Sequence, residues 1–202
     1  MSDKFKALTI GIEAARIAPS QSDDLWQSIS TVKDGDIVMM SRGEFEANPE
    51  YRHFIGYAMV RCNGRYLTYE RTPKGDEPGL HHQRSIGFGG HIDTDDLIYN
   101  ENGSVNFIAS LKNAAMREVE EELILSSDNS IIEASIHPDM IVSSRNEVDA
   151  VHAGVVMLID ISNENLVSGE DQILLLGFKT PDELESVENL ESWSQILVES
   201  MQ

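Results

Sequence analysis

Apolar and polar positions divide this chain into strand-like and helix-like runs. Tyr57 to Cys62 and Arg65 to Arg71 read as strands flanking Asn63-Gly64, a dipeptide suited to a type I′ hairpin because both central residues need positive φ. Ile37-Val38-Met39-Met40 reads as a strand, and Ile131 to Ile136 and Met140 to Ser143 as two short ones. Val151 to Ile161 is apolar at nearly every position, the pattern of a strand buried on both faces, and Gln172 to Phe178 gives another. Asp23 and Asp24 favour the first turn of a short helix after Ser22. Thr180-Pro181-Asp182-Glu183 combines an N-cap hydroxyl, a first-turn proline and a glutamate three residues on, which starts a helix. A last helix near Leu190 to Met201 puts Trp193, Ile196 and Leu197 on one side.

The most informative helical run is Arg117-Glu118-Val119-Glu120-Glu121-Glu122. Ala115, Met116, Val119 and Leu123 make the stripe that docks it on a sheet, and Glu120 faces solvent. Glu118, Glu121 and Glu122 stand at i, i+3 and i+4 and project from one face. Three carboxylates so placed suit a hard cation such as Mg²⁺, which prefers oxygen ligands and keeps waters that a phosphate can displace. A solvated acidic face is the plain alternative. Like charges at i,i+4 cost only about 0.2–0.5 kcal/mol per pair, so energetics alone does not choose. Arg117, four residues before Glu121, is close enough to bridge it and orient its carboxylate.

Upstream, Ser85-Ile86-Gly87-Phe88-Gly89-Gly90-His91-Ile92 puts three glycines in a short apolar stretch, the composition of a strand end that bends or approaches a ligand closely. Taken together, Gly89-Gly90 and Arg117, Glu118, Val119, Glu121 and Glu122 resemble the motif of the Nudix hydrolases: Gly, five residues, Glu, seven residues, then Arg-Glu-aliphatic-x-Glu-Glu-x-Gly-aliphatic. Two departures are plain. Five residues after Gly90 comes Asp96 in place of Glu, and 20 residues then separate it from Arg117, so Asp96 to Ser110 reads as an insertion of 13 residues. A register starting at Gly103 keeps the spacing but puts Ala109 where the first Glu belongs. Ile124 replaces the late Gly, which normally supplies a left-handed helix end.

The resemblance spans roughly residues 55 to 190 and implies an α/β (α+β) fold, an α/β/α sandwich with a mixed β-sheet between helices. Residues 1–50 fall outside it as an N-terminal accessory segment before a Nudix-like domain of 51–202. It implies cleavage of the pyrophosphate linkage in a nucleoside diphosphate derivative or similar small diphosphate, with Mg²⁺ or Mn²⁺ as cofactor. Glu118, Glu121 and Glu122 would be metal ligands, joined by the Gly90 carbonyl, with Arg117 beside them and Asp96, Asp93, Asp95 or Glu101 standing in for the first Glu. Arg71, His81, His82 and Arg84 are candidates for contacting substrate, and Glu147 or Asp149 for a further carboxylate acting as general base. A Nudix fold that binds such a ligand without hydrolysing it is the rival reading, motivated by the insertion and the missing Glu. Isomerase chemistry on an allylic diphosphate is a third, without a cysteine placed to support it.

Composition narrows the partners. Lys and Arg number 15 against 35 Asp and Glu, a net charge of −20, which argues against a nucleic-acid polymer held by a basic surface and leaves a small phosphorylated substrate. Cys62 is the only cysteine, so no disulfide joins two points of the chain and no cysteine cluster holds zinc. It reads as a strand residue in a reducing, cytoplasmic setting. No run approaches 18 apolar residues and no secretory leader is visible, so no membrane is expected; a homodimer is compatible with the resemblance.

Overall fold

A computed structural model describes residues 7–17, 26–74 and 78–201. In chain order come β1 (Leu8–Glu13), β2 (Trp26–Ser28), β3 (Val38–Ser41), α1 (Arg42–Glu46), β4 (Tyr51–Cys62), β5 (Arg65–Arg71), β6 (Arg84–Ser85) and β7 (Phe88–His91). Then follow α2 (Phe107–Glu122), β8 (Leu123–Leu125), β9 (Ile131–Ile141), α3 (Glu147–Ala150), β10 (His152–Ile161), β11 (Leu166–Ser168), β12 (Ile173–Lys179), α4 (Pro181–Leu184) and α5 (Ser192–Ser200). A large mixed sheet with helices makes the fold α+β. By contacts the described residues form two compact units: those within 1–57, 89–116 and 136–156 make unit one, and those within 58–88, 117–135 and 157–202 make unit two.

In unit one, β1 lies antiparallel to both β3 and β4, with Ile10 opposite Met39 and Gly11 opposite His53. The N-terminal residues thus contribute strands to the same sheet as β4. β2 pairs with the end of β9, Trp26 opposite Ile141. The start of the helix expected after Ser22 lies outside the described residues, and Trp26–Ser28 is strand. A core of Ile10, Ile12, Phe54, Ile92, Phe107 and Leu111 is closed to water, with the rings of Phe54 and Phe107 4.5 Å apart. The helix meets the strand closely there: a Cβ on Gly56 would stand 3.3 Å from that of Ala115. The expected strands Ile131–Ile136 and Met140–Ser143 merge into one strand, β9, which ends at Ile141 and leaves Val142 and Ser143 beyond it; Pro138 within it keeps an extended backbone and gives up only a donor.

In unit two, β12, β5 and the end of β4 are neighbours and β6 pairs with β5. The hairpin is as expected, with Asn63 at φ 49° and Gly64 at φ 77°. Tyr69 and Phe88 stack at 4.7 Å, and the Tyr69 hydroxyl donates to the Gly87 carbonyl at 2.8 Å. The Thr180 capping box forms, its hydroxyl accepting from the Glu183 amide. Trp193, Ile196 and Leu197 are the buried face of α5. Ser194 ties that helix to the glycine-rich stretch by accepting from the Ile86 amide at 3.0 Å.

Candidate functional site

Asn106 caps α2, its side chain accepting from the Ala109 amide at 3.0 Å, and Asp34 accepts from the Phe107 amide. The helix then runs to Glu122 without a residue that breaks it. Val119 and Leu123 are buried and Glu120 is exposed, as the stripe predicts. Arg117 Nη1 donates to Glu118 Oε1 at 2.8 Å and to Glu121 Oε2 at 3.1 Å, so one guanidinium fixes two of the three carboxylates. Glu118 is mostly covered at 16% side-chain exposure and Glu121 open at 54%.

Glu122 is the electrostatic centre of the face. Its Oε2 is buried and has no hydrogen-bond partner among the described residues. Burial pushes its carboxyl up to about 7, with Glu170, Glu118 and Glu121 adding repulsion and Arg71 opposing them. A buried, unsatisfied carboxylate oxygen among like charges is a place where a divalent cation would relieve both penalties. The donor set therefore fits a hard metal ion.

Ile124 in place of glycine leaves α2 without a left-handed end, and the chain passes directly into β8. A distant glycine takes over the capping. Gly169, which follows β11, donates its amide to the Glu122 carbonyl at 2.8 Å, and a Cβ there would stand 2.6 Å from the Glu121 carbonyl oxygen. The β8–β11 ribbon, with Ser168 opposite Leu123, brings that glycine and then Glu170 to the helix end. Nothing in the local motif reveals either residue; only the ribbon's register does.

Arg71 shares unit two with the carboxylates and is close enough to favour ionisation of Glu122. It is anchored 3.4 Å from Glu191 Oε2 with its guanidinium carbon 5.6 Å from the Tyr69 ring centre. Glu191 also accepts from the Ser85 hydroxyl at 2.6 Å, which holds it on the strand before the glycines. The His82 amide donates to the Arg71 carbonyl at 2.8 Å, and His82 stands at φ 62° with its ring exposed. His82 and Arg84 both face Glu70, at 3.4 and 3.5 Å. His81 is half-buried.

The remaining candidates belong to unit one. Gly90 is buried in β7, and Glu147 is exposed in the first turn of α3. Asp149 is buried at 3% and accepts from the Ser143 hydroxyl at 2.9 Å. Arg52 Nη1 donates to the carbonyls of Ser143, Asp149 and His152, so Asp149 sits within an internal brace for the turn before β10. Asp96 is buried in a 3₁₀ turn and its carboxylate accepts from the Asp93 amide at 3.0 Å. It is not on α2. Eight positions before Arg117 on that helix is Ala109, and the extra chain forms the loop before Phe107, with Gly103 at φ 82° in its turn.

No protein-family model matches the chain. It is 28% identical over 167 residues to Protein YmaB of Bacillus subtilis (strain 168), covering 81% of this chain and 77% of that one. Among solved structures it resembles Tm1382, described provisionally as a Nudix hydrolase, with a TM-score of 0.72 and 21% identity over 96% of this chain and 97% of that one. Likeness over nearly the whole of both chains, with the acidic helix in place, makes the fold of this protein the Nudix fold.

Proposed function

We propose that the protein is a divalent-metal-dependent pyrophosphohydrolase acting on a nucleoside diphosphate derivative or a similar small diphosphate. The observation that carries this reading is the buried, unpartnered Glu122 oxygen flanked by Glu118 and Glu121 on one helix face. These three side chains would hold Mg²⁺ or Mn²⁺, which would neutralise diphosphate charge and make water a better nucleophile. Arg117 orients Glu118 and Glu121, so their oxygens need little reorganisation when substrate arrives. Arg71 supplies a cation for a phosphate oxygen, and Glu191 holds it in place. A carboxylate of this group takes the proton from the attacking water as the bridging P–O bond breaks, and a monophosphate leaves.

Ligand binding without turnover is favoured by one observation: Asp96 is committed to capping a turn and Ala109 occupies the helix, so no fourth carboxylate joins α2 from that part of the motif. The two readings separate cleanly. Metal-loaded protein is incubated with nucleotide sugars, dinucleotides and nucleoside triphosphates, and monophosphate or pyrophosphate release is measured. Release that E121Q abolishes supports hydrolysis; tight calorimetric binding with no product over hours supports the sensor. Full turnover by E121Q would refute the proposed site.

A further inference from the structure

β4, β7 and the start of β10 each contribute one histidine, His53, His91 and His152, to a single spot in unit one. One ring nitrogen from each lies within 4.8 Å of the other two. His53 is stacked between the rings of Phe45 and His152, at 5.2 and 4.0 Å, and His91 lies 4.7 Å from His53. Packing alone is a poor account of this choice of residues. His53 is fully buried, and neither of its ring nitrogens has a hydrogen-bond partner among the described residues. A neutral imidazole carries one donor and one acceptor, and leaving such a buried polar group unmet forfeits its hydration with nothing in return. An apolar ring against Phe45 would carry no such penalty.

The tautomer of His152 points the same way. Its Nδ1 lies 2.6 Å from the Val148 carbonyl oxygen, which can only accept, so Nδ1 carries the hydrogen and Nε2 keeps the lone pair. A ring nitrogen donating to a backbone carbonyl while the other is left basic is how proteins orient a ligating histidine. The Arg52 brace fixes the same turn by donating to the His152 carbonyl at 3.0 Å.

We propose that His53, His91 and His152 form a binding site for a divalent transition-metal ion of the Zn²⁺ class. Imidazole nitrogen suits Zn²⁺, Cu²⁺, Ni²⁺ or Fe²⁺, whereas Mg²⁺ and Ca²⁺ take oxygen ligands. Zn–N bonds of roughly 2.0–2.1 Å put two nitrogens of a tetrahedral ion about 3.4 Å apart, so the trio must draw together, and the His53 and His152 rings, stacked at 22°, must turn about their side-chain torsions so that both in-plane lone pairs reach one ion. Three protein ligands leave a position open for water or an anion. Arg42, whose charge bears on all three rings and which stands 3.5 Å from Asp93, favours an anion there. The site differs in ligand chemistry from the glutamate face and does not depend on the function proposed for it.

Chelator-stripped protein titrated with Zn²⁺ in excess Mg²⁺, which occupies carboxylates, tests this. One equivalent of Zn²⁺ is expected to bind; H91A and H152A are each expected to weaken it by at least about 100-fold, and E121Q to leave it unchanged. Ring ¹⁵N shifts need no variant, and on adding Zn²⁺ to the wild-type protein they are expected to move at His53, His91 and His152 out of the six histidines. No uptake, uptake lost in E121Q but kept in both histidine variants, or shifts confined to His81, His82 and His137 would each overturn the proposal.

Discussion

Glu118, Glu121 and Glu122 crowd three acids onto little more than one helical turn of a chain with net charge −20, whereas His53, His91 and His152 bring three rings from separate strands into an interior that resists charge. On the helix, burial raises the Glu122 carboxyl to about 7 and its acidic neighbours add to the shift. In the histidine cluster, burial holds all three rings below the ordinary imidazole range, with Arg42 adding to it. Glu122 and the three rings therefore disfavour their charged forms without a partner. They differ in what relieves them: hard oxygens call for a strongly charged cation, neutral nitrogens for one that shares electron density.

Breaking the glutamate side of this contrast has the largest expected effect. E121Q and E122Q should each lower phosphate release by about 10²–10⁴-fold, and H152A should leave it nearly intact, as steady-state turnover with Mg²⁺ will show. If H152A abolishes turnover as E121Q does, the two groups are not chemically separate. Next comes R52M, which leaves the carbonyls of Ser143, Asp149 and His152 without their shared donor inside the protein. A loss of roughly 3–5 kcal/mol in denaturant unfolding is expected.

The pH dependence of the metal-free protein sharpens the comparison further. Glu122 has a folded pKa above its unfolded value, so its share of stability is fully present at low pH and is lost as pH rises from about 4.5 through 7. E122Q should remove that fall, by at most about 3 kcal/mol at pH 8, in thermal melts without metal. Saturating Mg²⁺ should remove it in the wild type. A melting temperature that falls equally with pH in E122Q would assign the effect to the net charge instead. The smallest effect is expected for G169A, whose new methyl meets the Glu121 carbonyl; about 1–3 kcal/mol of stability should be lost, with turnover reduced because the helix end that carries Glu121 and Glu122 shifts.

Legibility followed sequence separation. The Asn63-Gly64 turn, the Thr180 box and the acidic face of α2 could be read directly, because each depends on residues within a few positions of one another. Asp96 could not be placed by counting, since spacing does not say whether an insertion lies before or within a helix. The 3₁₀ turn that uses its carboxylate answers that. Asp149 looked like a reachable acid in a polar loop, yet the Arg52 brace and Ser143 lie 97 and 6 residues away and draw it inside.

The order of residues alone determined that three carboxylates share a helix face with an arginine to orient them, because helical periodicity is a local property of the backbone. Only the tertiary structure decided that the Glu122 Oε2 atom is buried, that Gly169 rather than a local glycine closes α2, and that three histidines meet. Those facts depend on strand pairing and register between segments far apart in the chain, and a one-residue slip of β4, β7 or β10 would send its histidine to the opposite face.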